Sequence, residues 1–248
     1  MQEKIVIVGA TSAMAEHCAR LWVTESPKTL VLLGRDPAKT NRVAQDLRIR
    51  SAQSAIAVAT TDFLDPTKIR EWVDQVCAAG VPDIVLISHG SLPDQKECQK
   101  DLLQNQQALQ LNGVSPVLFA EAFAGHMEQA KKGTLAIIGS VAGDRGRKSN
   151  YVYGAAKGLV TRYTQGLQHR LADTNVNVVL IKPGPTDTPM TATLKGKGPK
   201  MADVTAVASS IVRGVAKAKP VVYAPAKWVV IMMVIRHLPR FIFNKMDI

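Results

Sequence analysis

Cysteine is scarce in this sequence: Cys18, Cys77 and Cys98 are the three in 248 residues. An odd number with no metal-like spacing argues against a disulfide framework or a zinc site, so no metal is expected and a reducing, cytoplasmic setting fits. Aromatic residues amount to 5%, too few for a base-stacking platform, and no nucleic-acid-binding motif is present. Nucleic acid is therefore not an expected partner. The continuous apolar run Trp228 to Ile235 has eight residues, far below the ~20 that span a bilayer. The amino terminus enters an apolar strand at once, without the basic and apolar regions of an export signal, so none is expected. Repeats, low-complexity tracts and linkers are lacking, which argues against a second domain.

Acidic residues are also in short supply, with 20 Asp+Glu against 31 Lys+Arg and a formal charge of +11. Such an excess suits a soluble basic surface, an anionic ligand or an anionic membrane face. The basic residues thicken late, at Arg145, Arg147 and Lys148, then Lys195, Lys197 and Lys200, then Arg236, Arg240 and Lys245.

What is present is an ordinary globular balance of 46% hydrophobic and 21% charged residues, enough for a full core. Short β-branched runs alternate with helical patterns, the rhythm of βαβ units around a parallel sheet. Strands are expected at 4–8, 29–33, 55–60, 83–88, 133–139, 175–181 and 221–223, and helices at 13–25, 37–48, 66–79, 98–130, 151–172 and 204–217. The runs Ile5-Val-Ile-Val8 and Ile84-Val-Leu-Ile87 do not alternate with polar residues, as befits strands covered on both faces. The fold class is α/β: a single-domain, doubly wound, seven-stranded parallel sheet flanked by helices.

Tyr153 stands four residues before Lys157, which on a helix puts phenol and ammonium on one face. An adjacent ammonium stabilises phenolate and lowers a pKa that is otherwise near ~10, so the pair can serve as a proton donor. The first strand runs into Gly9-Ala-Thr-Ser-Ala13-Met14, where a tight turn feeding a helix N-terminus would cradle phosphate, with Thr11 and Ser12 supplying hydroxyls. The second strand ends at Gly34-Arg35-Asp36. A guanidinium there suits the 2′-phosphate of NADP, whereas a carboxylate suits the 2′-hydroxyl of NAD. Arg35 thus favours NADP(H), and Asp36 keeps NAD(H) open. Asp62, before Phe63, is placed either to accept from an adenine amino group or to start the helix near Pro66.

This ordered set resembles the short-chain dehydrogenase/reductase family over nearly the whole chain. The resemblance implies a Rossmann fold and an active site of Ser140 in Ile-Ile-Gly-Ser140-Val-Ala-Gly, Tyr153, Lys157, and Asn112 in Leu-Gln-Leu-Asn112-Gly-Val. Pro183-Gly184-Pro-Thr-Asp-Thr188-Pro-Met190 is similar to the family segment whose threonine contacts the nicotinamide carboxamide. The implied cofactor contacts are Gly9, Thr11, Ser12, Ala13, Met14, Arg35, Asp62, Phe63, Ser88, Gly90, Tyr153, Lys157, Pro183, Thr186 and Thr188. Two departures stand out. Alanines replace two glycines of the first turn, and Ile87-Ser88-His89-Gly90 replaces the family's Asn-Asn-Ala-Gly, with His89 read as structural or cofactor-flanking rather than as a base.

The resemblance implies interconversion of a ketone and a secondary alcohol, in which Tyr153 protonates the oxygen, Ser140 polarises it, Lys157 holds the nicotinamide ribose and Asn112 anchors a water. A cofactor-sensing regulator without turnover is the alternative. The local pattern looks closest to a branch with the decaprenylphosphoryl-2-keto-pentose reductases, which suggests a sugar or lipid-linked carbonyl substrate, and the family implies that the basic segment 187–203 is the substrate lid, suited to an anionic group. The family also implies a homodimer or homotetramer. Segment 225–248, apolar and basic, suits either a helix lying on the inner face of a membrane or one packed over the pocket or in an oligomer interface.

Overall fold

The computed structural model describes residues 2–194, 196 and 200–246. Its seven strands are β1 (Lys4–Val8), β2 (Thr29–Leu33), β3 (Ala55–Ala59), β4 (Ile84–Ile87), β5 (Gly133–Ile138), β6 (Val176–Pro183) and β7 (Val221–Ala224). They form one parallel sheet in the order β3-β2-β1-β4-β5-β6-β7. The chain starts mid-sheet, winds outward to β3, then returns to β4 beside β1 and winds the other way. That reversal opens a crevice at the carboxyl ends of β1 and β4, where doubly wound folds take ligands.

The helices are α1 (Ala13–Glu25), α2 (Pro37–Arg50), α3 (Pro66–Ala78), α4 (Gln95–Lys100), α5 (Leu102–Leu109), α6 (Ser115–Ala130), α7 (Tyr151–Arg170), α8 (Val204–Ala216), α9 (Trp228–His237) and α10 (Arg240–Phe243). Because strand side chains alternate between faces, β1 and β4 serve two cores. Ile5, Ile7, Ile84 and Leu86 pack with α1, α2 and α8. Val6, Val8, Val85 and Ile87 pack with α3, α6 and α7. Both faces are covered, which is why these strands are apolar at every position. All three cysteines are buried and free.

Helix starts follow local chemistry. Asp36 accepts from the Lys39 amide and Asp65 from those of Thr67 and Lys68, each followed by proline in the first turn. The single helix expected at 98–130 is instead broken. Asp101 adopts an extended backbone, ending α4, and its carboxylate accepts from the amides of Leu103 and Gln104 to start α5. A π-helical turn, Gln110–Val114, then joins α5 to α6. No described helix is long and apolar enough to cross a membrane.

Candidate active site

The turn after β1 needs glycine for a specific reason. Gly9 has φ of +84°, and a Cβ there would lie 2.6 Å from the His89 backbone nitrogen, so β1 and the loop after β4 touch at this point. Ser12 precedes α1 but makes no side-chain cap; its hydroxyl instead accepts from that of Ser88 at 2.9 Å. The first-turn amides of α1 consequently lack an intrahelical or capping partner and face the crevice, as a phosphate site requires.

Ser140 follows β5. Its Oγ accepts from the Ala142 amide at 3.1 Å and so caps a short 3-10 turn, Val141–Asp144. Gly143 lets that turn press onto α7, since a Cβ would meet the Lys157 carbonyl carbon and oxygen at 2.6 Å. Behind the turn, the nearly inaccessible Asp144 pairs with Lys182 of β6 and accepts from the Tyr223 hydroxyl of β7 at 3.0 Å. Burial, and then the Asp144 charge, push the Tyr223 phenol up to about 12. This cluster pins the serine-bearing turn to the sheet edge.

Tyr153 and Lys157 lie on α7, both facing Ser140. The Tyr153 phenol is raised above its ordinary value by burial, and a hydrogen bond with Ser140 pulls it back. This is opposite to the expected direction of its shift: burial dominates, and the Lys157 ammonium, whose Nζ lies 5.9 Å from the ring centroid, donates to the Ile138 carbonyl at 3.0 Å. Burial lowers Lys157 itself to about 8.

Asn112 sits in the π-helical turn, fully buried. Its Oδ1 accepts from the Ser91 amide at 2.7 Å and its Nδ2 donates to the Ala108 carbonyl at 2.9 Å, so it fastens the loop after β4 against α5. His89 is held by Ser115 at 2.9 Å through Nε2 and meets Phe63 edge-on at 4.8 Å. Burial, with Lys157 and Arg35 nearby, lowers it to about 3. Its Nδ1 is buried without a hydrogen-bond partner among the described residues.

Two adjoining clefts result, which share part of their lining. The first brings together Ser140, Tyr153, Lys157, Pro183 and Thr186. The second gathers Gly9, Thr11, Ser12, Ala13, Arg35 and Phe63. Met14, Ser88, Gly90 and Thr188 line both. Thr186 turns its hydroxyl to the Gly184 carbonyl at 2.9 Å. Asn112 and Asp62 line neither cleft; Asp62 binds the Leu64 amide at 2.8 Å, and the helix start belongs to Asp65. Asp36 is engaged by its own helix, through the Lys39 amide and ammonium, whereas Arg35 is exposed at the cleft.

The sequence reading passed over Lys39 and Asn150. Lys39 follows Arg35 by four residues, a basic pair readable in the sequence, whereas Asn150 carries no comparable signal. Of the basic trio after Ser140, only Arg147 lines the first cleft. Its Nε and the Asn150 Oδ1 are buried without a hydrogen-bond partner among the described residues. In segment 187–203, Ala202 bridges back to Thr186 and Pro189–Leu194 forms a 3-10 turn. Lys195 and Lys197 lie outside the described residues.

Residues 3–198 match a family model described as short chain dehydrogenase. An uncharacterized oxidoreductase of Mycobacterium tuberculosis is 30% identical over 248 residues, covering 98% of this chain and 96% of the relative. Among solved structures, a bulky-bulky ketone specific alcohol dehydrogenase from Comamonas testosteroni aligns with a TM-score of 0.80 at 22% identity, over 99% of this chain and 95% of that one. A short-chain dehydrogenase from Sphingobium yanoikuyae, in complex with NADPH, aligns with a TM-score of 0.82 at 21% identity, over 96% and 97%.

Proposed function

The chain belongs to the short-chain dehydrogenase family of oxidoreductases, and from that premise we propose that it reduces a ketone to a secondary alcohol using NADP(H). The observation that carries this reading is the convergence of Ser140, Tyr153 and Lys157 on one cleft that continues into the phosphate-ready turn at Gly9. Tyr153, kept protonated by burial, is suited to give its proton to the ketone oxygen, while Ser140 polarises that oxygen. Lys157 holds its charge at neutral pH and faces the same space. The free amides of α1, with Thr11 and Ser12, suit a pyrophosphate, and Arg35 with Lys39 nearby suits a 2′-phosphate. When bound, the nicotinamide supplies the hydride.

The substrate reading is a carbonyl compound that carries an anionic group, of the sugar or lipid-linked kind suggested by the branch resemblance. Arg147 supports it: burial lowers its pKa, and Asp144, whose charge opposes that shift, is itself paired with Lys182. A half-buried guanidinium in the same cleft as Ser140, its Nε without a hydrogen-bond partner among the described residues, favours an acceptor-rich ligand. The test follows nicotinamide absorbance with NADPH over a panel of ketones, each offered as a carboxylate and as its methyl ester. Turnover that Tyr153→Phe abolishes, with NADPH affinity kept within a few-fold, is expected. Full activity in that variant would overturn the assignment.

A further inference from the structure

The carboxyl-terminal helices carry an apolar face that the described residues do not cover. Trp228, Ile231, Met232 and Ile235 recur at the three- and four-residue spacing of one helix face, and that face of α9 is seated against Val141 and Tyr223. Trp228 lies so close to Gly184 that a Cβ there would fall 1.9 Å from the indole nitrogen. Arg145 secures the other end, donating to the carbonyls of Ile235 and Leu238 at 2.5 and 2.7 Å, with its guanidinium 3.7 Å from the Phe243 ring centroid. The helix pair is thus fixed to both loops that frame the first cleft.

The opposite face of α9 presents Val229, Val230, Met233 and Val234, and α10 adds Phe241 and Ile242. All six are exposed, Val230 by 59% and Phe241 by 71%. Scattered apolar residues need no explanation, but four on one face of a single helix, with two more on the short helix that follows, mark a binding surface.

Charge indicates what binds. From Val204 to Met246 the sequence has no Asp or Glu, while Arg213, Lys217, Lys219, Lys227, Arg236, Arg240 and Lys245 all fall within it. Lys227, Arg236, Arg240 and Lys245, which flank the apolar residues, are exposed. A second copy docked on this face would set these cations mostly against their own kind, since Asp247 is the one acidic residue of segment 225–248. An anionic bilayer answers both features, taking apolar side chains at the acyl boundary and basic ones among the headgroups.

We propose that α9 and α10 dock the protein onto an anionic lipid surface, holding the first cleft beside it. The proposal goes beyond the reductase reading and does not depend on it. Flotation of the full chain with vesicles of phosphatidylcholine, alone or mixed with phosphatidylglycerol, tests it directly. Binding to the mixed vesicles only is expected. Val230→Asp with Met233→Asp, both exposed, should abolish it, and Lys227→Gln with Arg240→Gln should weaken it about 25-fold, at about fivefold per basic side chain. Circular dichroism of the same variants should match the wild type. Failure of the wild type to float, or equal flotation of the apolar-face variant, would overturn the proposal. So would a concentration-dependent dimer in ultracentrifugation that Val230→Asp dissolves, since the face would then belong to a second copy.

Discussion

Lys157 bears an ammonium at a position where the protein would be more stable without one. Its ordinary pKa of 10.5 is lowered to about 8 by burial, so below pH 8 the folded protein carries a charge that the unfolded chain solvates better. The difference corresponds to about 3 kcal/mol against folding at neutral pH. Between pH 8 and 10.5 the unfolded chain binds the extra proton, so this contribution makes stability rise with pH, and the penalty is gone above that window. Lys157→Met should therefore abolish turnover while raising the denaturation midpoint at pH 7, and the gain over wild type should shrink as pH climbs from 8 toward 10.5. Denaturant titrations of both proteins across that range check it; a variant less stable than wild type at pH 7 would contradict it. The sequence made the Tyr153 and Lys157 pairing legible through its spacing together with the ordered company of Gly9, Asn112, Ser140 and Thr188. The direction of the tyrosine shift was not legible, because it depends on how deeply α7 is buried.

At the scale of elements, the strands were readable because a sheet covered on both faces writes itself as unbroken apolar runs. The 98–130 region was not, since Asp101 reads as an ordinary helix residue until its carboxylate is seen capping α5. Nor does the sequence say that Arg145 turns to α9 while Arg147, two residues on, turns to the cleft. The Ser140 turn depends on a comparable long-range contact, the buried pair of Asp144 and Lys182 joining it to β6. Lys182→Met leaves the Asp144 carboxylate buried with the Tyr223 hydroxyl as its hydrogen-bond donor, which should cost about 3–5 kcal/mol. Adding Asp144→Leu removes the stranded charge and should recover most of that loss, although activity should stay low because the turn has lost its anchor. Chemical denaturation of the single and double variants measures the coupling. Simple addition of the two losses would show that the pair does not act as a unit.

The molecule as a whole sets a positive field around its clefts. A net charge of +11 attracts anions at a distance, and Arg35 and Lys39 stand at the second cleft, where the proposed 2′-phosphate would sit. The two effects can be separated by salt. A long-range field acts on any dinucleotide, whereas a local pair of cations acts on the extra phosphate alone, and both weaken as the Debye length falls. The KM for NADPH should therefore rise more steeply with sodium chloride than the KM for NADH, with kcat unchanged. Arg35→Ala should raise the NADPH value at low salt by roughly tenfold, the scale of a charge-assisted contact of about 1.5 kcal/mol, and flatten its salt dependence toward that of NADH. Steady-state kinetics with both cofactors across a salt series decides the matter. Parallel slopes in the wild type, or equal losses for both cofactors in the variant, would remove Arg35 from cofactor selection and leave only the general field of the protein.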